Sequence, residues 1–465
     1  MIELRDYQLQ MIEEARAEMR RHKCVLMQAA TGAGKTVLGS YMLHQTIKKA
    51  FDAFFIVHRR DLITQTALTF DQFGIRHSYV TADHGYNPYA KAHICSIDTL
   101  KNRLKHVKIP KLVMVDECHM ANSAGWSKVL DFYRDNGSWI IGLSATPWRL
   151  SGDGLNRHFS AMITGPSMRR LIDNGNLSDY RYFAPSTPDM TGVKTVAGDY
   201  AKGAMAETIQ KQKNLVGDAI KHYRKHAEGM RAIAYCVSRK HSEQVAMDFN
   251  AAGIPAQHID GETPMNERKR IISAFANGTI KVLTNVELIT TGFDLAAQVG
   301  RDVQVECIIQ LRPTQSLSLY LQMVGRGLRA DDKPHIILDH AGNAAKHGLP
   351  CEDREWTLEG REKKKGASSR ESDIKTRDCP NCFYVHTPAL SCPNCGHVYE
   401  IKGREIGFEE GDLQEIKSAS AEKEKQKQAE RSEFFMLVNV AKKNGIPNPR
   451  VWAKNKMIAK KKGLA

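Results

Sequence analysis

At 465 residues the chain exceeds what one ordinary hydrophobic core supports, so two domains of usual size plus smaller parts are expected. A hydrophobic fraction of 42% with 26% charged residues, and no apolar run of bilayer length, excludes a membrane-spanning protein and fits a soluble globular one. The formal net charge of +15 points to a polyanionic partner; a nucleic-acid backbone is the commonest, while acidic proteins and membrane surfaces stay open on charge alone.

The N-terminal residues, Met1 to Asp6, carry no apolar signal region. Six of the ten cysteines are scattered singly and read as reduced thiols. Both features predict a protein kept in a reducing cytoplasm, and no membrane partner is expected.

From Cys24 onward, short apolar runs at Cys24–Met27, Ala53–Val57, His93–Ile97, Leu112–Val115 and Trp139–Leu143 read as strands. Helix-length stretches such as Lys35–Lys48 and Asp61–Phe73 lie between them, which predicts parallel strands with helical crossovers. Ala29-Ala30-Thr31-Gly32-Ala33-Gly34-Lys35-Thr36 follows the first strand and opens a helix, the context of a phosphate-binding loop. Its glycines let backbone N–H groups turn toward phosphate oxygens; Lys35 would neutralise the β- and γ-phosphates, and Thr36 would help hold Mg²⁺. The strand Val113–Val115 ends in Asp116 and Glu117, at the strand terminus where parallel sheets bind ligands. There Asp116 can hold Mg²⁺ through a water, and Glu117 can deprotonate the water that attacks the γ-phosphate.

The proline-bearing stretch from Tyr182 to Pro188 breaks the pattern and places a lobe boundary at 184/185. A second series of strands is then expected at Ala232–Val237, Ala256–Ile259, Lys281–Leu283, Val305–Leu311 and His335–Leu338. The fold class is therefore α/β, with two tandem parallel-sheet lobes at 1–184 and 185–345. A linker at 346–372, a cysteine module at 373–402 and a charged linker with a basic tail at 403–465 complete the layout.

In that module Cys379, Cys382, Cys392 and Cys395 form C-x2-C-x9-C-x2-C, which supplies the four thiolates of a structural, tetrahedral Zn²⁺. A redox pair is the alternative, and His386 and His397 are expected to be bystanders. In the tail, Trp452 among lysines reads as a stacking residue beside phosphate clamps, with a solvated tail as the bland alternative.

With Asp116-Glu117-Cys118-His119 and Gly142-Leu143-Ser144-Ala145-Thr146-Pro147, the chain resembles the superfamily 2 DEAD/DEAH-box helicases in a DECH form. Asn285 to Asp294 and Gln322-Met323-Val324-Gly325-Arg326-Gly327-Leu328-Arg329 resemble that family's later motifs. The resemblance implies two RecA-like lobes, ATP and Mg²⁺ as cofactors, and ATP-driven movement on nucleic acid. It implies that Arg326 and Arg329 reach the γ-phosphate from the second lobe, and that His119, Ser144, Thr146 and Gln322 couple the ATP site to movement. It further implies adenine recognition by Gln8, nucleotide contacts at Gly292 and Asp294, and backbone contacts at Arg59, Thr99, Thr290 and Thr291.

Thr290-Thr291-Gly292-Phe293-Asp294, Leu311-Arg312-Pro313-Thr314, the arginine motif and the cysteine module resemble RadD-type bacterial DNA-repair helicases and related phage helicases. That implies DNA in preference to RNA, DNA-repair or replication proteins as partners, and a bacterial or phage-infected cytoplasm with nucleoid association on DNA. An RNA helicase, and a DNA-stimulated ATPase that remodels without unwinding, stay open as alternatives.

Overall fold

The computed structural model describes residues 3–148, 152–184, 190–196, 199–211, 214–286, 288–289, 293, 295–360, 376–399, 433–434, 436–441, 444 and 446–461. The chain divides into two compact units, Met1–Tyr399 and Glu400–Ala465.

The first lobe is built on β1 (Cys24–Gln28), β2 (Ala53–Val57), β3 (His77–Val80), β4 (Ala92–Ser96), β5 (Leu112–Val115), β6 (Trp139–Ser144) and β7 (Ala161–Thr164). They form one sheet in the order β3-β4-β2-β5-β6-β1-β7, and every pairing is parallel. Around it lie α1 (Asp6–Glu18), α2 (Lys35–Lys48), α3 (Arg60–Gln72), α4 (Ile97–Arg103) and α5 (Ala124–Asp135). The chain leaves through α6 (Met168–Asp173) and enters β8 (Tyr180–Phe183), followed by a small hairpin, β9 (Thr195–Val196) and β10 (Asp199–Tyr200), and helices α7 (Lys202–Lys211) and α8 (Asn214–Ala227).

The second lobe repeats the design with β11 (Ala232–Tyr235), β12 (Ala256–Ile259), β13 (Val282–Asn285), β14 (Cys307–Gln310) and β15 (His335–Asp339). With β8 they make a parallel sheet in the order β12-β13-β11-β14-β15-β8. Helices α9 (Arg239–Ala251), α10 (Met265–Ala276), α11 (Leu295–Val299) and α12 (Leu317–Gly325) pack on it.

The central strands are covered on both faces, which is why they read as unbroken apolar runs. Successive side chains point to opposite sides, so Phe54 and Ile56 join one buried cluster while Phe55 and Val57 join another. That second cluster runs through both lobes and includes Met114, Ile233, Leu283 and Tyr320. Among the described residues no helix is long and apolar enough to cross a membrane.

Three expected boundaries shift. Tyr180–Phe183, left with the first lobe by a boundary at 184/185, hydrogen-bonds as the edge strand of the second sheet, and the buried Tyr182 hydroxyl donates to Asp339 Oδ2 at 2.9 Å. The lobes therefore meet before Tyr180.

The expected linker at 346–372 is ordered structure as far as Gly360. Arg354 donates to the carbonyls of His347, Leu349, Pro350 and Glu352, fixing a rigid turn, and Cys351 Sγ lies 2.8 Å from the Tyr180 hydroxyl. The chain then returns to the first lobe as a strap. Trp356 packs on Trp148 with ring centroids 4.9 Å apart, Trp148 Nε1 donates to Thr357 O at 2.8 Å, and Leu358 O accepts from Leu155 N at 2.7 Å. Polar composition concealed this segment because its bonds are made by backbone. Residues 361–375 of the expected linker lie outside the described residues.

The cysteine module is docked rather than tethered. Its strands Arg377–Asp378 and Val385–His386 pair antiparallel, and Ala184 N donates to Phe383 O at 2.9 Å, so the module continues the exposed edge at β8. In the second unit, residues 403–432 lie outside the described residues. The basic tail beyond them is helical over 436–441 and Pro449–Lys461, with Val438, Ala441 and Ala453 buried.

A Cβ on Gly154 would overlap the Leu358 carbonyl oxygen, whereas one on Gly85 meets nothing within 4 Å. Gly154→Ala is expected to dislodge the strap and cost about 1–3 kcal/mol in urea denaturation, with Gly85→Ala near neutral; equal midpoints for the two variants would contradict the strap.

Candidate active site

The phosphate loop joins β1 to α2. Gly32 and Gly34 have φ of +86° and +74°, which only glycine adopts without strain, and Gly34 is the N-cap of α2. The fourteen-residue helix begins at Lys35 and has no acidic residue in its first turn, so its N–H groups and dipole face an anion unopposed. From below, Gln8 Nε2 donates to Ala33 O at 3.1 Å, as does the Tyr7 hydroxyl at 3.0 Å. Gln8 Oε1 accepts from Arg5 N at 3.0 Å, so the Gln8 amide already buttresses the loop through one hydrogen and one lone pair.

The loop opens on a cleft of about 700 Å³ between the lobes. Thr31, Lys35, Thr36, Asp116 and Glu117 line it from the first lobe, and Gln322, Arg326 and Arg329 from the second. Thr31 Oγ1, Gln322 Nε2 and Arg326 Nε are buried there without a hydrogen-bond partner, a donor-rich set that suits a polyphosphate. The lobes touch beside it, since a Cβ on Gly325 would lie 2.6 Å from Thr31 Cβ. Arg329 is turned aside onto Asp302, 3.1 Å away.

Asp116 and Glu117 are both buried. Burial and the adjacent carboxylate push Asp116 up, against the pull of Lys35. Burial acts on Glu117 in the same direction, but His119 and Lys35 outweigh it and hold Glu117 below the usual carboxylate range. Glu117 also sits in the left-handed region at φ +49°, an unusual conformation for a side-chain-bearing residue and one that clusters at working sites.

A polar chain leads away from this carboxylate. Glu117 Oε2 is 3.1 Å from His119 Nδ1, which is 3.4 Å from Ser144 Oγ, and that hydroxyl donates to Thr146 O at 2.7 Å while accepting from Thr146 N. The four residues are thus contiguous, while Gln322 faces the cleft from the other lobe. Arg59 and Thr99 follow the adjacent strands β2 and β4 at the same end of the sheet. Thr290, Thr291, Gly292 and Asp294 lie outside the described residues.

Several residues escaped sequence reasoning. His58, at the end of β2, lies close enough to Glu117 to feel its charge and is kept neutral by burial, its pKa lowered to about 4. Only its position beside Arg59 could have signalled it. Asp302 and the cross-lobe pair Asp61–Arg268, at 3.6 Å, have no motif at all.

In the cysteine module all four Sγ atoms lie within 4.8 Å of one another, with Cys379–Cys395 at 3.6 Å and Cys382–Cys392 at 3.7 Å. A tetrahedral Zn²⁺ with Zn–S near 2.3 Å requires sulfurs about 3.8 Å apart, so the set fits. Asn394 Nδ2 donates to Cys382 Sγ at 3.3 Å, the outer support that a thiolate ligand uses. His386 Nε2 is instead engaged with the Tyr399 hydroxyl at 2.6 Å.

Comparison with known proteins bears on both lobes. Residues 1–149 match the family described as "Type III restriction enzyme, res subunit", and residues 211–331 match "Helicase conserved C-terminal domain". A "51.5 kDa protein" of Lactococcus phage (isolate 7-9) is 34% identical over 81% of this chain and 78% of its own. The "Putative ATP-dependent helicase IRC3" of Saccharomyces cerevisiae is 26% identical over 72% of this chain and 51% of its own. Among solved structures, an ATP-dependent Type ISP restriction-modification enzyme, LlaBIII, bound to DNA superposes with a TM-score of 0.55 at 16% identity, covering 72% of this chain and 27% of that one. The chain thus spans about half the length of the yeast relative and about a quarter of the restriction-modification enzyme.

Gly325→Ala should hold the lobes apart at Thr31. We expect kcat for ATP to fall by at least ~10-fold while nucleotide affinity, set mainly by the first lobe, changes little; wild-type turnover would remove this contact from the closed state.

Proposed function

Since the chain belongs to the superfamily 2 helicases and is an ATP-hydrolysing enzyme of that family, we propose that it uses hydrolysis between its two lobes to move along or remodel DNA. The observation that carries this reading is the convergence of Lys35, Asp116 and Glu117 from one lobe with Arg326 and Arg329 from the other on a single cleft.

ATP would lie with its phosphates over the N-terminus of α2. Thr36, and Asp116 through a water, would hold Mg²⁺, which would supply neutralisation of the phosphate charge. Glu117 accepts a proton from the attacking water as its oxygen bonds to the γ-phosphorus and the bond to the ADP oxygen breaks. Arg326 and Arg329 stabilise the charge that spreads over the transferring group, an effect worth roughly 10³–10⁵ in rate. Loss of the γ-phosphate removes the charge that Lys35 and the arginines share, so the lobes relax. The chain from Glu117 through His119 and Ser144 to Thr146 would carry that change toward the bound strand, with Arg59, Thr99, Thr290 and Thr291 on the backbone. Gln8 has one N–H and one lone pair left for adenine, and Gly292 and Asp294 would meet the γ-phosphate and the ribose.

The preference for DNA is supported by the likeness to RadD-type helicases and by a structural neighbour that is itself bound to DNA. A role in repair, recombination or replication, and a cytoplasmic site of action, follow from the same likeness. The second unit adds charge: eight Lys and Arg residues and no acid lie between Lys442 and Ala465, more than half of the chain's excess of 15. Its helix exposes Arg450, Lys454 and Lys456 beside a half-buried Trp452, a surface suited to phosphates and a stacked base. We assign Zn²⁺ to Cys379, Cys382, Cys392 and Cys395 as a structural ion, with no open coordination position.

The test is the steady-state ATPase rate without nucleic acid, with single-stranded DNA, with forked DNA and with matched RNA at one salt concentration. Stimulation by DNA is expected, Lys35→Ala should abolish turnover while leaving salt-sensitive DNA binding, and Lys454→Glu with Lys456→Glu should raise the DNA concentration for half-maximal stimulation. Stimulation by RNA alone would overturn the DNA reading. Elemental analysis of purified protein should find about one zinc per chain, lost in the Cys382→Ser, Cys395→Ser variant; unchanged zinc would refute the assignment.

A further inference from the structure

Three parts of the nucleotide cleft come from distant stretches of sequence: the Arg5–Gln8 element, the phosphate loop and the arginine segment Gln322–Arg329. All three are touched by one short segment to which no role has yet been given, Asn176-Leu177-Ser178, where the chain first crosses between the lobes. Arg5 Nη1 donates to Asn176 O at 3.2 Å, and Arg5 is the residue whose backbone N–H orients the Gln8 amide. The Leu177 side chain, 3% exposed, lies against the phosphate loop, where a Cβ on Gly32 would come within 2.8 Å of Leu177 Cδ2.

On its other side the crossing is bonded to the arginine segment. Leu177 forms an antiparallel bridge with Arg329, and Ser178 N donates to Leu328 O at 3.2 Å. The Ser178 hydroxyl, buried at 1% exposure, donates to Arg329 O at 2.6 Å; Asp331 O, at 3.3 Å, is the other acceptor within reach. Leu177 therefore stands with its side chain on the phosphate loop and its backbone on Arg329.

We propose that Leu177 and Ser178 are positioning residues for ATP hydrolysis, registering the backbone of Arg329, and of Arg326 three residues earlier, against the phosphate loop. The physical reason is the steep dependence of charge stabilisation on placement. A guanidinium displaced by about 1 Å from a developing charge loses much of its effect, and the arginine side chains inherit the position of the backbone that carries them. The crossing supplies a ruler between the two halves of the site: Leu177 fixes one end by contact, and the Ser178 bonds fix the other by direction. Without the Ser178 hydroxyl, the Arg329 carbonyl loses a donor at 2.6 Å and the segment from Leu328 to Asp331 is less firmly held.

This inference rests on the reading of Arg329 as a stabiliser of the transferring phosphoryl group. The test uses the full chain and five variants: Ser178→Ala, Ser178→Thr, Leu177→Ala, Arg329→Ala and the Ser178→Ala, Arg329→Ala double variant. For each, kcat and KM of the DNA-stimulated ATPase, the Kd of a fluorescent ADP analogue and the Tm are measured. Ser178→Ala and Leu177→Ala are expected to lower kcat by ~10-fold or more with ADP affinity within about twofold of wild type. Ser178→Thr, which keeps the hydroxyl, should recover most of the rate. Adding Ser178→Ala to Arg329→Ala should cost less than Ser178→Ala costs alone, as expected of a residue that acts in part through Arg329. Wild-type kcat in Ser178→Ala beside a slow Arg329→Ala would overturn the proposal alone. So would a parallel fall of Tm, ADP affinity and kcat that Thr fails to recover, since that is the mark of a merely structural role. Wild-type kcat in Arg329→Ala would remove the premise and the proposal with it, and this control tells the two failures apart.

Discussion

The contact between Gly325 and Thr31 is the constraint on which the rest of the structure depends. In the proposed reaction the arginines of the second lobe act on the same phosphates as the loop and lysine of the first, and Arg326 and Arg329 line the same cleft. That requires two sheets to approach at the one point where their loops are most crowded. A glycine at the end of α12 makes the approach possible, and everything that sets the lobes' relative position serves that distance.

Closure has consequences because the acidic pair is not isolated. Glu117 sits in a strained conformation, kept ionised by the imidazole of His119, which also reaches Ser144. In the proposed cycle, a shift of this carboxylate when the γ-phosphate departs would pass to Thr146, at the end of the neighbouring strand. Three side chains in contact and the Thr146 backbone form that path, with no long-range wire. His58, at the end of the next strand, feels the charge of Glu117 yet is kept neutral by burial.

Much of this was legible in the sequence wherever a local pattern has one physical meaning. Central strands covered on both faces read as unbroken apolar runs, and the phosphate loop announces itself because only glycine can take the φ values at 32 and 34. Three edge strands did not announce themselves: β3, β7 and β8 are short and mixed in polarity because one side of each is open or covered late, whereas β12, also at an edge, stands where it was expected. The strap escaped for a different reason, since its composition is that of a linker and its attachment is made by backbone carbonyls. The same holds for Asn176-Leu177-Ser178, where the informative groups are one carbonyl, one N–H and one hydroxyl contacting residues 150 or more positions away. The partnership of Arg329 with Asp302 was likewise beyond reach, because nothing in a sequence says which carboxylate an arginine rests on.

The strap has a mechanical meaning. Two bodies joined at one point can swivel in any direction, whereas two bodies pinned at two separate points can only swing about the line between the pins. The lobes are pinned once at Leu177 and Ser178 and again between Arg354 and Trp356, with a single residue, Glu355, spanning the second gap. Two such pins would leave the lobes one easy rotation out of three. Each turnover would then retrace a door's arc, and a stroke of fixed direction is what a motor needs if its steps are to add rather than cancel.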